Sequence, residues 1–225
     1  MKAAHALSPP GSLRREGCWL VVELGGPHQV LSWAVVGGGR RTASEVVWRE
    51  VRDDELRPPA DPEHLLREGL ARIGLPGAVG LLTSRSLDAH VEAERSGGGL
   101  RARCVATVGL GNALRAGDPP GPSARIGTIN LLCQLSEPLS DGALVEALSI
   151  AVEARTLAVL EGAVPSRRSG LAATGTGTDC VVVAAPPGRG VRYAGKHTLA
   201  GHLIGAAVHE AVARGVAEWQ RERGS

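Results

Sequence analysis

The sequence predicts an α+β fold: one domain in which a mostly antiparallel or mixed sheet packs with a few long helices. Apolar runs typical of strands occur in groups, and helical patterns separate the groups instead of alternating strictly with single strands. The 225 residues contain 43% hydrophobic side chains and no linker-like interruption, which favours one sizeable core over two small ones. A layered αββα sandwich is the alternative arrangement.

The first third of the chain predicts strands and one helix. Residues 1–16 contain Pro9 and Pro10 but no apolar segment, and we expect a disordered leader before a single domain over residues 17–225. Apolar runs at 18–24 and 29–36 flank a Gly-Gly-Pro-His turn signal and predict a β-hairpin. A third strand is expected over residues 45–51.

A helix and a second hairpin should follow. Asp61 is a suitable N-cap with Pro62 at the first helical position, and the helix should run to about residue 72, before Gly74. Residues 79–83 predict a short strand. The pattern at 87–94 fits a strand or a helix, but the triple glycine at 97–99 favours a hairpin with residues 100–108.

The second half predicts two strands, two long helices and two loops. Residues 109–122 form a glycine- and proline-rich loop that is too long for a simple connection, and such loops often carry function. The predicted elements that follow are a strand at 125–135, a helix capped by Ser140 or Asp141 and ending near 162, a loop at 167–177, a strand at 179–185 and a helix at 198–221.

Composition excludes several function classes. The net charge is only +2, with acids and bases interspersed, and there is no Phe and one Tyr, so nucleic-acid binding is not expected. The chain contains neither a signal-peptide pattern nor an apolar run of about 18 residues, which predicts a soluble cytoplasmic protein without a membrane contact. The four cysteines are widely spaced, which favours buried free thiols in a reducing cytosol over disulfides or a zinc site.

The stretch from residue 171 to 199 concentrates residues suited to ligand binding. Threonine and glycine alternate from Thr174 to Thr178 and end in Asp179, which offers hydroxyl and backbone donors with room for close approach. Lys196 and His197 then precede the last helix, where negative charge is favoured. The Gly-Lys-Ser/Thr ending of a phosphate-binding P-loop is missing, so an ATPase is a poor interpretation.

Two glutamates lie on one stripe of the apolar helix that follows Ser140. Glu146 and Glu153 are seven residues apart, which is about two turns, whereas Arg155 should point the other way. If buried, the carboxylates would have shifted pKa values suited to acid–base chemistry. Two solvated acids on the one wet stripe of the helix are the alternative, which the residues alone slightly favour. Lys196 and His197 likewise fit either a surface pair or an oxyanion and acid–base pair.

Four stretches in matching order closely resemble the CbiZ family, the adenosylcobinamide amidohydrolases of corrinoid salvage. They are Gly-Asn-Ala-Leu-Arg-Ala-Gly-Asp at 111–118, Gly-Thr-Ile-Asn at 127–130, the helix 144–160 with its two glutamates, and Ala-Thr-Gly-Thr-Gly-Thr-Asp followed by Tyr-Ala-Gly-Lys-His-Thr and Gly-His-Leu-Ile-Gly. The resemblance covers about residues 100–215, and the first hundred residues match only loosely.

The resemblance implies hydrolysis of the amide that joins a corrin side chain to aminopropanol in adenosylcobinamide or a related corrinoid, giving adenosylcobyric acid for cobalamin salvage. It also makes a catalytic role for both glutamates the favoured interpretation. The catalytic candidates are Glu146, Glu153, Lys196 and His197. The substrate-binding candidates are Asn112, Arg115, Asp118, Asn130, Thr174, Gly175, Thr176, Gly177, Thr178 and Asp179. No metal-ligand set or cofactor of the protein itself is expected, because cobalt arrives within the corrinoid substrate.

Several alternatives stay open at this point. The attacking group is water or a threonine, and Gly111 stands where the family often has a hydroxyl residue, which argues against a nucleophile there. A corrinoid-binding carrier or regulator without hydrolase activity is the second hypothesis, and nucleotide binding by the Gly-Thr loop is a poorer third. The sequence is compatible with a homo-oligomer and leaves the preferred corrinoid undefined.

Overall fold

A computed structural model describes residues 11–56, 59–121 and 127–224. The described elements, in chain order, are β1 Leu13–Glu16, β2 Trp19–Ser32, β3 Gly39–Glu50, α1 Pro62–Arg72, β4 Val79–Thr83, β5 Val91–Gly97, β6 Leu100–Val108, β7 Ala113–Leu114, β8 Ile129–Leu135, α2 Asp141–Glu161, β9 Gly175–Thr176, β10 Cys180–Ala185 and α3 Leu199–Gly224. An eight-stranded sheet has the order β4-β3-β2-β10-β8-β6-β5, with β1 beside β2, and β7 pairs with β9. The mixed, mostly antiparallel sheet and its helices confirm the predicted α+β class.

The large sheet folds back on itself at an irregularity in β2. The Asn130 side-chain nitrogen on β8 donates to the Leu82 carbonyl oxygen on β4 at 2.7 Å, and Gln134 on β8 donates to the Leu24 carbonyl oxygen at 2.8 Å. β8 and β4 are four positions apart in the strand order, a spacing of about 19 Å in a flat sheet with strands roughly 4.8 Å apart. Direct hydrogen bonds between them therefore require two facing layers.

The layers enclose one core between them and present two more to the helices. Trp48 and Leu81 from one layer and Leu132 and Val182 from the other belong to the same buried apolar cluster. Helices α2 and α3 pack on the outer side of β6, β8 and β10, whereas α1 packs on Val21 and Val47. The layers therefore follow one another as α1, one strand layer, the other strand layer, and the pair α2 and α3. This is the αββα arrangement that was the alternative prediction, formed here by a single folded sheet.

The predicted first hairpin is wrong, because residues 19–32 form one long strand. The register of β2 against β3 shifts between Glu23 and His28. Gly25 and Gly26 have φ angles of 83° and 128°, which glycine adopts without strain, so the extra residues form a bulge and the chain continues in the same direction. Bending at this bulge produces the two layers.

The leader prediction is also wrong for residues 13–16, which form β1 and pair with residues 19–22 of β2. Residues 1–10 lie outside the described part of the chain. Most other elements are confirmed. The Asp61 side chain caps α1, and Pro62 is the first residue of that helix. The Ser140 side chain caps α2, which ends at Gly162. The β5–β6 hairpin is confirmed as well, and residues 122–126 of the predicted loop and strand are not described.

Three of the four cysteines, Cys104, Cys133 and Cys180, are buried, and Cys18 is exposed; all four are free thiols. Burial raises the pKa of the Cys133 thiol to about 12 and that of Cys180 to about 11. These two thiols therefore stay protonated at neutral pH. Among the helices that the structure describes, none is both long and apolar enough to span a membrane.

The histidine at the bulge should make stability depend on pH. The His28 ring lies 2.9 Å from the Gly26 carbonyl oxygen and 3.2 Å from the Gln134 amide nitrogen, and burial lowers the pKa of the imidazole below its ordinary value of 6.5. The unfolded chain then binds this proton at higher pH than the folded chain does. We expect the free energy of unfolding to decrease as pH falls below about 6.5, by at most roughly 1.4 kcal/mol per pH unit.

Urea unfolding at pH 7.5 and pH 5.5 measures this dependence in the wild type, in His28→Gln and in His202→Gln. His202 is exposed on α3 and serves as the control. The stability difference between the two pH values should shrink in His28→Gln and persist in His202→Gln. An unchanged difference in His28→Gln would show that His28 does not cause it.

Candidate functional site

Asp179, at the end of the Thr-Gly loop, lies at the centre of a buried hydrogen-bond cluster. Its carboxylate accepts the Ile129 backbone N–H at 3.0 Å, the Thr176 backbone N–H at 3.0 Å and the Thr176 hydroxyl at 2.5 Å. It also forms an ion pair with the Arg155 guanidinium from α2. Burial raises the pKa of Asp179, whereas Arg155 and the Thr176 and Ile129 donors oppose that rise. The residue anchors the loop to α2 and β8.

Arg155 was not among the predicted site residues. It was visible in the sequence as the one cation in an otherwise apolar and acidic helix, on the side opposite the glutamates. The structure confirms that orientation, because Arg155 contacts Asp179 whereas Glu153 contacts Lys196. A lone cation on a buried helix needs an anionic partner, and this rule is the signal that points to Arg155.

The threonine hydroxyls of the loop all have protein partners. Thr174 Oγ1 accepts the Ala116 backbone N–H at 2.8 Å, and Thr178 donates its hydroxyl to the Gly127 carbonyl oxygen at 3.0 Å. Thr176 donates to Asp179 as described above. Gly175 leaves no room for a side chain, since a Cβ there would meet the Asp179 carboxylate and the Arg155 guanidinium. The three hydroxyls therefore hold the loop in place through hydrogen bonds within the protein. They are not arranged as free donors for a bound anion.

Arg115 and Asp118 join the long loop to the segment before β9. Arg115 donates to the Ala172 carbonyl oxygen at 2.8 Å, while its backbone N–H donates to Asp118 at 2.8 Å. The Ser166 hydroxyl also donates to Asp118, at 2.5 Å, and this bond, followed by the Arg115 N–H, lowers the pKa of the carboxyl. Both residues thus position the loops that surround the site.

Asn130 is fully buried and connects the two strand layers. Besides its bond to Leu82, it accepts the Thr128 hydroxyl at 3.2 Å, and that hydroxyl also lies 2.8 Å from the Thr178 carbonyl oxygen. The structure therefore places Asn130 behind the Thr128 side chain, where it positions neighbouring residues and is covered from solvent.

A cavity of about 370 Å³ opens between the layers, at the end where β8 and β10 begin. Asn112, Thr128 and Thr178 meet there with apolar side chains from the other layer and with the Cys180 thiol. None of the described residues that line it carries a charged side chain. Gly127 allows the two loops to meet at this point, because a Cβ there would lie 2.6 Å from the Gly111 nitrogen and 2.9 Å from Asn112 Oδ1.

The four catalytic candidates lie elsewhere, where α2 faces the start of α3. Glu146 accepts the Ala194 backbone N–H at 2.6 Å, and Glu153 forms an ion pair of 2.5 Å with Lys196. A Cβ built on Gly195 would lie 3.8 Å from His197 Cε1 and 3.9 Å from Glu146 Oε1. The imidazole and the carboxylate therefore flank one point, while His197, Lys196 and Glu153 are exposed.

A groove of about 500 Å³ runs between α2 and α3 beside this cluster. Glu153, Lys196, His202 and His209 line it together with apolar side chains from both helices, and His209 pairs with Glu161 at 2.6 Å. Among the described residues, no three His, Cys, Asp or Glu side chains are grouped in a way that could hold a metal ion.

The predicted site residues therefore form two regions. The cavity region contains Asn112 and Thr178, and the surface region contains Glu153 and Lys196; the two cavities share no lining residue. Arg155 and Glu153 are two residues apart on α2, about 200° around the helix, so α2 lies between the regions. The structure does not bring the Thr-Gly loop and Lys196 together in one oxyanion site.

Comparisons with known proteins identify relatives of the chain. The family model CbiZ, adenosylcobinamide amidohydrolase, matches residues 8–224. An uncharacterized protein of Methanocaldococcus jannaschii is 41% identical over 92 residues, which is 40% of this chain and 36% of that protein. The alignment thus spans little more than a third of that relative.

Two solved structures cover most of the chain at low identity. A protein of Pyrococcus horikoshii OT3 aligns over 93% of this chain and 80% of its own, with 12% identity and a TM-score of 0.48. A β-aminopeptidase from a Burkholderia species aligns over 93% of this chain and 82% of its own, with 14% identity and a TM-score of 0.45. Since both TM-scores are below 0.5, neither likeness bears on the activity of this chain.

Proposed function

The chain belongs to the CbiZ family, the adenosylcobinamide amidohydrolases, and we propose that it hydrolyses the amide between a corrin propionate side chain and aminopropanol in adenosylcobinamide. The observation that carries the proposal is the family match over residues 8–224, which includes both regions of the site. The products would be adenosylcobyric acid and aminopropanol. Cobalt enters as part of the substrate, and the protein supplies no cofactor of its own.

Glu146 and His197 are the proposed acid–base pair. Hydrolysis adds the oxygen of one water molecule to the amide carbon, breaks the carbon–nitrogen bond and transfers a proton to the leaving amine. Glu146 accepts the Ala194 N–H through Oε2, and its Oε1 atom, on the side of Gly195, would take the proton from water. His197 lies across the same point and would protonate the nitrogen.

Lys196 and Glu153 would act on the carbonyl side of the same bond. The Lys196 ammonium would stabilise negative charge on the carbonyl oxygen during attack, and its ion pair with Glu153 sets its position. The groove between α2 and α3 offers apolar walls beside these charges, which suits a large ligand with an apolar face and a polar rim.

The test is incubation of the purified protein with adenosylcobinamide, with products identified by mass spectrometry. Wild type should release adenosylcobyric acid and aminopropanol. Glu146→Gln and His197→Ala should each reduce the rate by about 10²–10⁴-fold, because each removes one proton-transfer group. Glu153→Gln should have a smaller effect, since Glu153 acts through Lys196.

Glu161→Gln is the matched control, since Glu161 is an exposed carboxylate on the same helix, paired with His209. It should retain the wild-type rate. Corrinoid binding without any product, with cobinamide phosphate and complete corrinoids also intact, would contradict a hydrolase and favour the carrier.

A further inference from the structure

The hydroxyl of Thr198 joins the segment before α3 to the first turn of that helix. Its Oγ1 atom accepts the Gly201 backbone N–H at 3.0 Å and donates to the Gly195 carbonyl oxygen at 2.7 Å. The first bond satisfies one of the N–H groups that the start of a helix leaves free, so Thr198 is the N-cap of α3. Capping needs only this bond. The second bond ties the cap to the residues that precede it.

The segment that Thr198 holds is a β-turn, and Lys196 and His197 are its two central residues. The Thr198 backbone N–H donates to the Gly195 carbonyl oxygen at 2.9 Å, which is the bond that closes a turn of four residues. The same carbonyl oxygen therefore accepts both the backbone N–H and the hydroxyl of Thr198. Because the hydroxyl is itself held by the N–H of Gly201, the second bond fixes the turn against α3.

The His197 side chain depends on this turn for its position. Among the residues that the structure describes, none forms a hydrogen bond or an ion pair with its imidazole, whereas Lys196 is paired with Glu153. The imidazole nevertheless lies close to Glu146, since one point beside Gly195 is 3.8 Å from His197 Cε1 and 3.9 Å from Glu146 Oε1. Without a partner for the ring, the backbone of the turn decides where the ring lies.

We propose that Thr198 is a positioning residue, whose hydroxyl holds the His197 imidazole opposite the Glu146 carboxylate. Glu146 accepts the Ala194 N–H just before the turn, and Thr198 holds the Gly195 carbonyl oxygen next to it, so both contacts act on adjacent residues. The inference rests on the proposed function, in which His197 protonates the leaving nitrogen. A displacement of about 1 Å in a reacting group can reduce a rate by roughly 10²-fold.

The kinetic test compares Thr198→Val, which keeps the shape and removes the hydroxyl, with Thr198→Ser, which keeps the hydroxyl. Adenosylcobinamide hydrolysis is measured at a temperature at which both variants are folded. Thr198→Val should lower kcat by about 10–100-fold and leave KM within about threefold, whereas Thr198→Ser should stay within about threefold of the wild-type kcat. A lower melting temperature of Thr198→Val with an unchanged kcat would show a purely structural cap and overturn the proposal.

An NMR measurement tests the same inference without hydrolysis. The short distance between His197 Cε1 and Gly195 predicts a nuclear Overhauser effect between the ring Hε1 and a Gly195 Hα in the labelled full-length protein. Thr198→Val should lose this signal, and Thr198→Ser should retain it. Persistence of the signal at full strength in Thr198→Val would overturn the proposal.

Thr198→Asp separates the two bonds of the hydroxyl, and it serves if Thr198→Val folds poorly. An ionised aspartate is a good N-cap for the Gly201 N–H, but it has no hydrogen to donate to the Gly195 carbonyl oxygen. The variant should therefore keep its melting temperature within a few degrees of the wild type and still lose the signal between His197 and Gly195. A retained signal would show that capping alone positions His197, contrary to the proposal.

Thr42→Val is the matched control, because it makes the same substitution and removes a hydroxyl that accepts a hydrogen bond from Gln29 at 3.1 Å on an exposed part of the sheet. It should keep both the wild-type kcat and the NMR signal. The two proposals fail separately. Absence of hydrolysis by the wild type would contradict the proposed function, whereas loss of the signal in Thr198→Val alone would still show that Thr198 positions His197.

Discussion

Replacing Asp179 with Asn should lower the free energy of unfolding by about 3–5 kcal/mol, the typical effect of removing one partner from a buried ion pair. The Asp179 and Arg155 side chains are 7% and 11% exposed, so a guanidinium left unpaired would stay largely desolvated. Asparagine would also weaken the hydrogen bonds that the Asp179 carboxylate accepts from the Thr176 and Ile129 backbone N–H groups. These bonds hold the loop against β8. Urea unfolding at pH 8 gives the difference.

The matched control is Glu63→Gln, which removes the carboxylate of an ion pair with Arg67 on α1. Those side chains are 57% and 60% exposed, and exposed pairs contribute about 0–1 kcal/mol. A loss below 1 kcal/mol in Asp179→Asn, equal to the control, would show that the buried pair does not hold the loop. A double variant with Arg155→Met should recover part of the loss, since no uncompensated charge would remain.

Gly201→Ala should destabilise the protein by about 1–3 kcal/mol, although alanine favours a helix over glycine by about 1 kcal/mol. A Cβ at this position would lie 2.6 Å from the Ala194 carbonyl oxygen and closer still to that of Gly195. The obstruction is backbone and cannot rotate away, so the start of α3 or the 194–197 segment must move. Because that segment contacts Glu146 and contains His197, the proposed corrinoid hydrolysis should fall as well.

Gly205→Ala, one turn further along α3, provides the comparison. There the added Cβ would lie 3.7 Å from Ile150 Cγ2, an ordinary contact, and the change should stabilise the protein by up to about 1 kcal/mol. Thermal or urea unfolding of the two variants and the wild type measures both changes in stability. Equal stabilisation by both substitutions would contradict the prediction, because it would show that the 194–197 segment moves away from the added Cβ without loss of stability.

Elements whose ends are marked by local chemistry were predictable. Asp61 with Pro62 marks the start of α1, and Ser140 marks that of α2, because capping and fixed φ act between residues next to one another. The hairpin at residues 91–108 also follows from a local glycine turn. The Gly-Gly-Pro-His segment failed as a turn because a bulge and a hairpin use the same residues, and pairing with β3 and β10 decides between them.

The sequence by itself determined the family, the α+β class, the single apolar domain and the opposite orientations of Arg155 and the two glutamates on α2, since these depend on composition, ordered motifs and helical period. Only the tertiary structure decided that Arg155 meets Asp179, that the sheet folds into two layers, and that Asn112 lines a cavity apart from Lys196. Each of these depends on contacts between distant segments, such as Gln134 with Leu24, 110 residues apart. Packing of the whole chain selects such contacts, and no local pattern encodes them.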